Sequence, residues 1–418
     1  MLEEAQRVHA MRRRVFLGRV AKLLLACISP GLVTQVFAAM QRETTKTGKE
    51  IEPITLFLCG DVMTGRGIDQ VLPHPGNPAL HEPYAKSALE YVALAEARNG
   101  PIATPVDYAY IWGDALQAFK QLTPDVRIIN LETAITTSDH YWPGKGIHYR
   151  MQPQNIPCLT AAQIDCCVLA NNHVLDFGYP GLSETLQTLH KAHIKTAGAG
   201  EDIVEAAAPA SMDVTGKGRV IVFAYGDASS GISEDWAAAQ RRPGVNYLQD
   251  FSTHTVMQLA RDIHKLKQPG DIVVVSIHWG ANWGYAISPE QKSFAHRLID
   301  EANVDILYCH SSHHPKGIEV YRHKPILYGC GDFINDYEGI NGYEAYRDDL
   351  ALMYFVSMDP ATARLTRLHL IPTQIKHFRS NRASSQDAQW LRDRLNTEGA
   401  KLGTRAQMNK DGSIELLW

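Results

Sequence analysis

None of the seven cysteines in this 418-residue chain forms a CxxC pair. A zinc knuckle or a thioredoxin-like redox site needs that spacing, so both are excluded. Cys27, Cys59, Cys158, Cys166, Cys167, Cys309 and Cys330 stand mostly inside apolar runs, where a free thiol behaves as a small buried hydrophobe. Cys59 lies two residues before Asp61, but a thiol inside a strand lacks the exposure that a nucleophile needs. Positive charge is not in excess either: 41 Lys and Arg face 45 Asp and Glu, for a formal net charge of −4. With no stripe of interleaved basic and aromatic residues, the sequence points to no nucleic-acid partner. Fixed-period repeats and low-complexity tracts are also missing, which excludes solenoids and biased tails.

No apolar run reaches the roughly 20 residues of a spanning helix. The best candidate, "LLLACISPGLVTQVFAA" (23–39), follows Lys22 and is broken by Pro30-Gly31. With "RRRVFLG" (12–18) ahead of it and small residues at its exit, residues 1–39 read as an export signal. Arg13-Arg14 followed by an apolar stretch resembles a twin-arginine leader, a route that carries folded proteins and would allow a metal to be loaded before export. The chain is therefore expected to be exported, to the periplasm or the cell surface. An uncleaved N-terminus, or lipidation of Cys27 in the lipobox-like "LLAC", would leave it membrane-anchored. Residues 40–50 are mostly polar and read as a linker.

From Ile51 onward, short apolar runs alternate with amphipathic ones. Strands are expected at 54–61, 126–132, 164–173, 219–227, 271–280, 304–314 and 325–332, near-continuous apolar runs of the kind buried on both faces. Helices are expected at 84–98, at 180–193 with Pro180 in its first turn, and at 253–267. A further helix starts at the capping box that begins with Ser288. This alternation predicts one α/β domain over 51–377. Residues 378–418 read as a terminal helix (384–402) and a short strand after Asp411-Gly412, packed on the main domain.

Nearly every apolar run ends in a residue able to bind metal: Asp61, Asn130 and Glu132, Asn172 and His173, His278, His310 and His313, then Asp332. In α/β sheets, ligands bind beyond the carboxyl ends of the strands, so residues remote in sequence meet there. A mixed set of carboxylate, amide and imidazole donors suits a divalent Mn, Fe or Zn ion.

The motifs "GDVMTGRGID", "NLETAIT", "LANNHVLDFG", "SIHWGANW", "HSSHHPKGIEVY" and "PILYGCGDFINDY" resemble, in order over about residues 54–340, the CapA/PgsA family of poly-γ-glutamate capsule biosynthesis proteins. That resemblance implies a calcineurin-like metallophosphoesterase fold, a central β-sandwich flanked by helices with metal held at the strand ends. It makes Asp61, Glu132, Asn172, His278, His310 and His313 the metal ligands. Two positions depart from the phosphoesterase pattern: Met63 stands where a histidine is usual, and Asn130-Leu131-Glu132 replaces a bridging aspartate.

If the protein is an enzyme, His173 is the expected general acid–base, with Asp176 orienting it and Asn172 orienting the substrate oxygen. Arg66, set between Gly65 and Gly67, is expected to bind an anionic group. Asn130, Trp279 and Asp332 complete the expected substrate contacts, with Trp283 and Tyr285 as an aromatic wall. The implied function is a part in making an anionic capsule polymer beside the membrane subunits of a synthase, with or without metal-dependent hydrolysis. A non-catalytic assembly or polymer-binding subunit is one alternative. A phosphoesterase or an amino-acid epimerase unrelated to capsule, acting on a small molecule, is another.

Overall fold

Alternation along the strands sorts the apolar side chains into two sets, and both are buried. The computed structural model describes residues 52–418, so the export signal and the linker lie outside the described residues. The strands that matter are β1 (Ile54–Cys59), β2 (Asp61–Val62), β3 (Val126–Leu131), β4 (Cys166–Val168), β5 (Gly218–Gly226), β6 (Asp271–His278), β7 (Ile306–His310), β8 (Asp332–Ile334), β9 (Leu350–Asp359) and β10 (Arg364–Ile375). An eleven-stranded sheet contains β8, β2, β3, β1, β9 and β10 in that order, with β4 beside β3. A six-stranded sheet contains β7, β6 and β5 as neighbours.

The two sheets share one apolar layer. Ile54, Leu56 and Leu58 of β1 and Val126 and Ile128 of β3 pack in the same cluster as Val220 and Val222 of β5, Ile272 and Val274 of β6, and Ile306 and Tyr308 of β7. The opposite faces carry helices. Phe57 and Ile129 pack with Phe119 of α1 (Ala115–Leu122) and Leu182 and Leu186 of α2 (Gly178–Lys191). Val273, Val275 and Leu307 pack with Val256 and Ile263 of α3 (Thr253–Leu266) and Phe294 and Leu298 of α4 (Pro289–Ala302). The layers run helix, sheet, sheet, helix, a mixed α/β architecture as the alternation predicts. Ser288 and Gln291 form the expected capping box at the start of α4. Among the described residues, no helix is long and apolar enough to cross a membrane.

Two elements differ from expectation. The strands β9 and β10 pair antiparallel over ten register positions and extend the first sheet. The start of β10 is largely polar, with Arg364, Thr366 and Arg367 exposed, and His369, Thr373 and Gln374 interrupt the rest, so it lacks the continuous apolar run that marks the other strands. The C-terminal region, after α5 (Ser385–Gly399), is a hairpin of Arg405–Met408 and Ile414–Leu417 and not a single strand. Its second strand joins β10, with His369 opposite Glu415.

One backbone contact sets the height of the strands. The chain breaks between β1 and β2 at Gly60, where the backbone of Gly331 comes so close that a Cβ on Gly60 would lie 2.1 Å from the Gly331 carbonyl oxygen. Asp61 N donates to that oxygen at 2.8 Å, which brings Asp332 into register with Asp61. Since backbone cannot yield as a flexible side chain does, Gly60→Ala is expected to lower unfolding stability by about 3 kcal/mol. A denaturant midpoint unchanged from the parent would contradict this reading.

Candidate metal centre at the open end of the sheets

The strand series that point into the shared layer are apolar until their last members. In β3 the series runs Val126, Ile128, Asn130; in β6 it runs Ile272, Val274, Ser276, His278; in β7 it runs Ile306, Tyr308, His310. Parallel register then sets the polar ends side by side. Asp332 pairs with Asp61, and Asp61 with Asn130. In the second sheet, Gly226 pairs with His278 and His278 with His310. Both rows lie at carboxyl ends, so the two sheets deliver their polar residues to one mouth.

The side chains meet there. Donor atoms of Asp61, Glu132 and His278, all buried, lie within 4.8 Å of one another. His278 Nε2 is 3.7 Å from Glu132 Oε1 and 3.1 Å from Asn172 Oδ1. His310 Nδ1 approaches Asp61 Oδ1 at 3.1 Å, yet neither of its buried ring nitrogens has a hydrogen-bond partner. Ser311, held at φ +93°, aims its N–H at Asp61 Oδ2 over 3.4 Å. Non-glycine residues adopt such a backbone where the surroundings over-determine it, commonly at functional sites.

These groups fit a divalent cation. Burial pushes the Glu132 carboxyl well above the usual range, and Asp61 and Asp332 push it further. Burial also raises Asp61, but its contacts with His310 and the Asn130 amide and the neighbouring His278 ring outweigh it and hold Asp61 at about 2. Burial holds the His278 imidazole down at about 3, against the pull of Asp61, which keeps it in the neutral form that ligates metal. A cation among these donors would relieve the Glu132 repulsion and give one of the orphaned His310 nitrogens a partner.

His313 stands apart from this set. Its Nδ1 contacts Asp332 Oδ1 at 3.0 Å, and its Nε2 faces Asn282 Nδ2 at 3.0 Å. Burial lowers the His313 pKa, but Asp332 more than compensates, so it is raised. With Nδ1 turned to Asp332 and Nε2 accepting from the Asn282 amide, both ring nitrogens are already engaged, and the structure does not bring His313 into the donor set as expected.

His173 and Asp176 meet as expected, with Nδ1 to Oδ2 at 2.6 Å. Lys145, on a loop between two motifs and outside the expected set, joins them. Its Nζ is 2.5 Å from Asp176 Oδ1 and 3.0 Å from His173 Nδ1. One nitrogen cannot both donate and accept, and the shorter contact assigns the proton to Nδ1 as donor to Asp176. His173 Nε2 is then the free nitrogen. Burial and Lys145 push His173 well below its ordinary value, while burial raises Asp176 to about 6 in spite of Lys145. The Tyr149 ring stacks on His173 at 3.8 Å. Asn171 is a second residue outside the expected set. Its Oδ1 accepts from His173 N and Val174 N, and its Nδ2 donates to Asn130 Oδ1 and the Leu131 carbonyl.

The four expected substrate contacts turn inward. Arg66 is buried between Glu82, at 3.2 Å, and Asp336, with Tyr91 3.7 Å beneath its guanidinium, so its charge is already neutralised. Asn130 is committed to Asp61 at 2.7 Å and to Asn171. Asp332 is committed to His313 and to Asn335 Nδ2. Trp279 belongs to the core between sheet and helices and donates its Nε1 proton to the Tyr328 carbonyl. Met63, in the position of the missing histidine, is buried, and its Sδ accepts from Gly65 N. The six cysteines among the described residues are all buried and unpaired, and burial pushes the Cys59 thiol up, so it is no nucleophile.

The wall of the mouth formed by 279–287 is pinned by His314. Its Nε2 accepts from Gly284 N at 3.1 Å, and its Nδ1 faces the Pro315 carbonyl at 3.3 Å, an arrangement only the neutral ring satisfies. Burial accordingly lowers it from the ordinary 6.5 to about 4. Below pH 6.5 the unfolded chain binds a proton that the fold refuses. Stability therefore falls as pH drops from about 6.5 to about 4, by about 3 kcal/mol for this group. Denaturant titrations across that window are expected to show a shallower loss in His314→Gln; an identical slope in both proteins would contradict the assignment.

Residues 55–337 match the family described as Bacterial capsule synthesis protein PGA_cap. The chain is 47% identical over 365 residues to a Probable polyglutamine synthesis accessory protein of Mycobacterium tuberculosis, covering 87% of this chain and 96% of that one. It is 26% identical over 324 residues to Capsule biosynthesis protein CapA of Bacillus anthracis, covering 76% of this chain and 67% of its relative. With PGA biosynthesis protein CapA of Bacillus subtilis it shares 27% over 296 residues, 71% of this chain and 66% of the other. Carrying the family's motif series across both sheets, the chain belongs to the bacterial capsule synthesis protein family, the CapA/PgsA group.

Proposed function

We propose that this chain is an exported accessory protein of poly-γ-glutamate synthesis whose site acts as a metal-dependent hydrolase of the calcineurin-like type. The observation that carries this reading is the meeting of Asp61, Glu132 and His278 donor atoms within 4.8 Å at the ends of two sheets. The layer order helix, sheet, sheet, helix supports the fold assignment, and the relatives' names support the polymer. In that setting the working partners are the anionic polymer and the membrane subunits of a synthase.

Asp61, Glu132 and His278 would hold the metal, and His310 would complete the set. A bound divalent ion would supply Lewis-acid polarisation of a substrate oxygen and a water of lowered pKa. The chain's own residues do the remaining work. Asn172, whose Oδ1 contacts His278 Nε2, orients the substrate oxygen beside the donors. His173 moves a proton at its free Nε2, while Asp176 holds Nδ1–H and so fixes the tautomer. Lys145 offsets the Asp176 charge.

A specific observation also favours a second reading, that of a non-catalytic assembly subunit. Met63 is turned away to Gly65, and Asn130 stands where the phosphoesterases have a bridging carboxylate, so the donors for a second metal are reduced.

Elemental analysis of protein purified without chelators separates the two. The parent is expected to carry about one equivalent of Mn, Fe or Zn, and Asp61→Ala and His278→Ala to lose it. His173→Ala is expected to keep the metal and lose at least 100-fold in turnover of a phosphodiester or γ-glutamyl amide. Metal-free parent protein, together with full polymer production by all three variants, would contradict the catalytic reading.

A further inference from the structure

The loop 279–287 has the metal centre on one side, where Asn282 holds His313, and a separate cavity of about 360 Å³ on the other. Ser229, Phe251, Gly280, Trp283, Gln291 and Lys316 contribute to its lining. Two of these are polar residues that are largely buried while their terminal nitrogens open onto the cavity. Lys316 is 7% exposed and Gln291 9%. The Lys316 ammonium has no hydrogen-bond or ion-pair partner among the described residues. The Gln291 Oε1 accepts from Ser288 N at 3.2 Å, but its Nε2 finds no acceptor among the described residues. Both groups only donate.

The acids nearby do not answer them. Asp227 accepts from Ser229 N and Oγ. Glu398, whose field reaches Lys316, is held by Lys401 at 2.6 Å and by Arg394. The stem of Lys316 is fixed, because its Cγ and Cδ pack over Gly329, where a Cβ would lie 2.8–2.9 Å from them. An ammonium and an amide N–H₂ lining one cavity are both donors of the kind a carboxylate accepts from, the ammonium by a charge-assisted bond. The faces of Phe251 and Trp283 beside them suit the methylene arm that carries such a group.

We propose that this cavity is a carboxylate-binding subsite for a glutamyl unit, with Lys316 and Gln291 as the donors that grip the carboxylate while the chain continues toward the metal centre. The identity of the unit rests on the polymer reading; the carboxylate chemistry does not.

Isothermal titration of the full chain with γ-linked hexaglutamate, glutarate and inorganic phosphate tests it. Hexaglutamate and glutarate are expected to bind, and Lys316→Met, which keeps the stem over Gly329, to weaken both at least tenfold. Gln291→Ala is expected to weaken them severalfold. As a check independent of any variant, bound glutarate is expected to protect Lys316 of the parent from acetylation, read by mass spectrometry. Glutarate bound through Lys316 without hexaglutamate would uphold the subsite and overturn the polymer reading. Equal binding by parent and Lys316→Met, phosphate bound in preference to both carboxylates, or no protection of Lys316 would overturn the subsite itself.

Discussion

Asp61, Glu132 and Asp332 are buried at one level of the molecule, brought there by strand register and not by local sequence. Carboxylates taken out of water and placed together repel, and the cost is met by neutralising partners or by protonation. Here each finds a different answer. Asp61 stays ionised against His310, His278 and Asn130, Asp332 pairs with His313, and Glu132 is pushed well up. The one carboxylate left without a counter-charge lies against His278. This imbalance makes the mouth of the two sheets a place for a cation.

The surroundings keep that imbalance from relaxing. Asn171 ties the turn after β4 to β3 through Asn130 and the Leu131 carbonyl. Arg66, Glu82 and Asp336 form a buried ion network behind Tyr149, whose ring also stacks on His173. A buried network of this kind contributes little net stability, but it fixes geometry, because breaking one partner strands the other. His173 is consequently held from Asp176, Lys145 and Tyr149 together, and the loop 279–287 is held by His314. The candidate metal donors stand at strand ends and His173 and Asn172 stand on a pinned loop, a division suited to a fixed centre with adaptable walls.

Much of this arrangement is legible in the sequence, and the reason is physical. An apolar run that ends in Asp61, Asn130, Glu132, His278 or His310 marks both a buried strand and its carboxyl end, so the run and its polar stop encode the site together. Asn172, His173 and Asp176 are legible on the same ground. Lys145 is not, because it lies on a loop with no periodic signal, and only tertiary packing brings it to Asp176. The inward turn of Arg66 is hidden too: its partners Glu82 and Asp336 lie 16 and 270 residues away, and no local pattern distinguishes a receptor arginine from a paired one. The apolar run Leu350–Val356 of β9 is a readable strand signal, whereas β10, which opens on exposed Arg364, Thr366 and Arg367, is recognisable only from its partner.

The donor atoms of Asp61, Glu132 and His278 meet within 4.8 Å at the ends of the two sheets, and the roles proposed for the surrounding residues depend on a cation binding there. Anomalous diffraction from crystals of the full chain, collected at the Mn, Fe and Zn edges, tests it most directly. A peak is expected about 2.0–2.3 Å from donor atoms of those three residues, with His310 turned toward it. Metal bound elsewhere in the chain, or an empty centre in crystals grown with excess Mn²⁺, would contradict it.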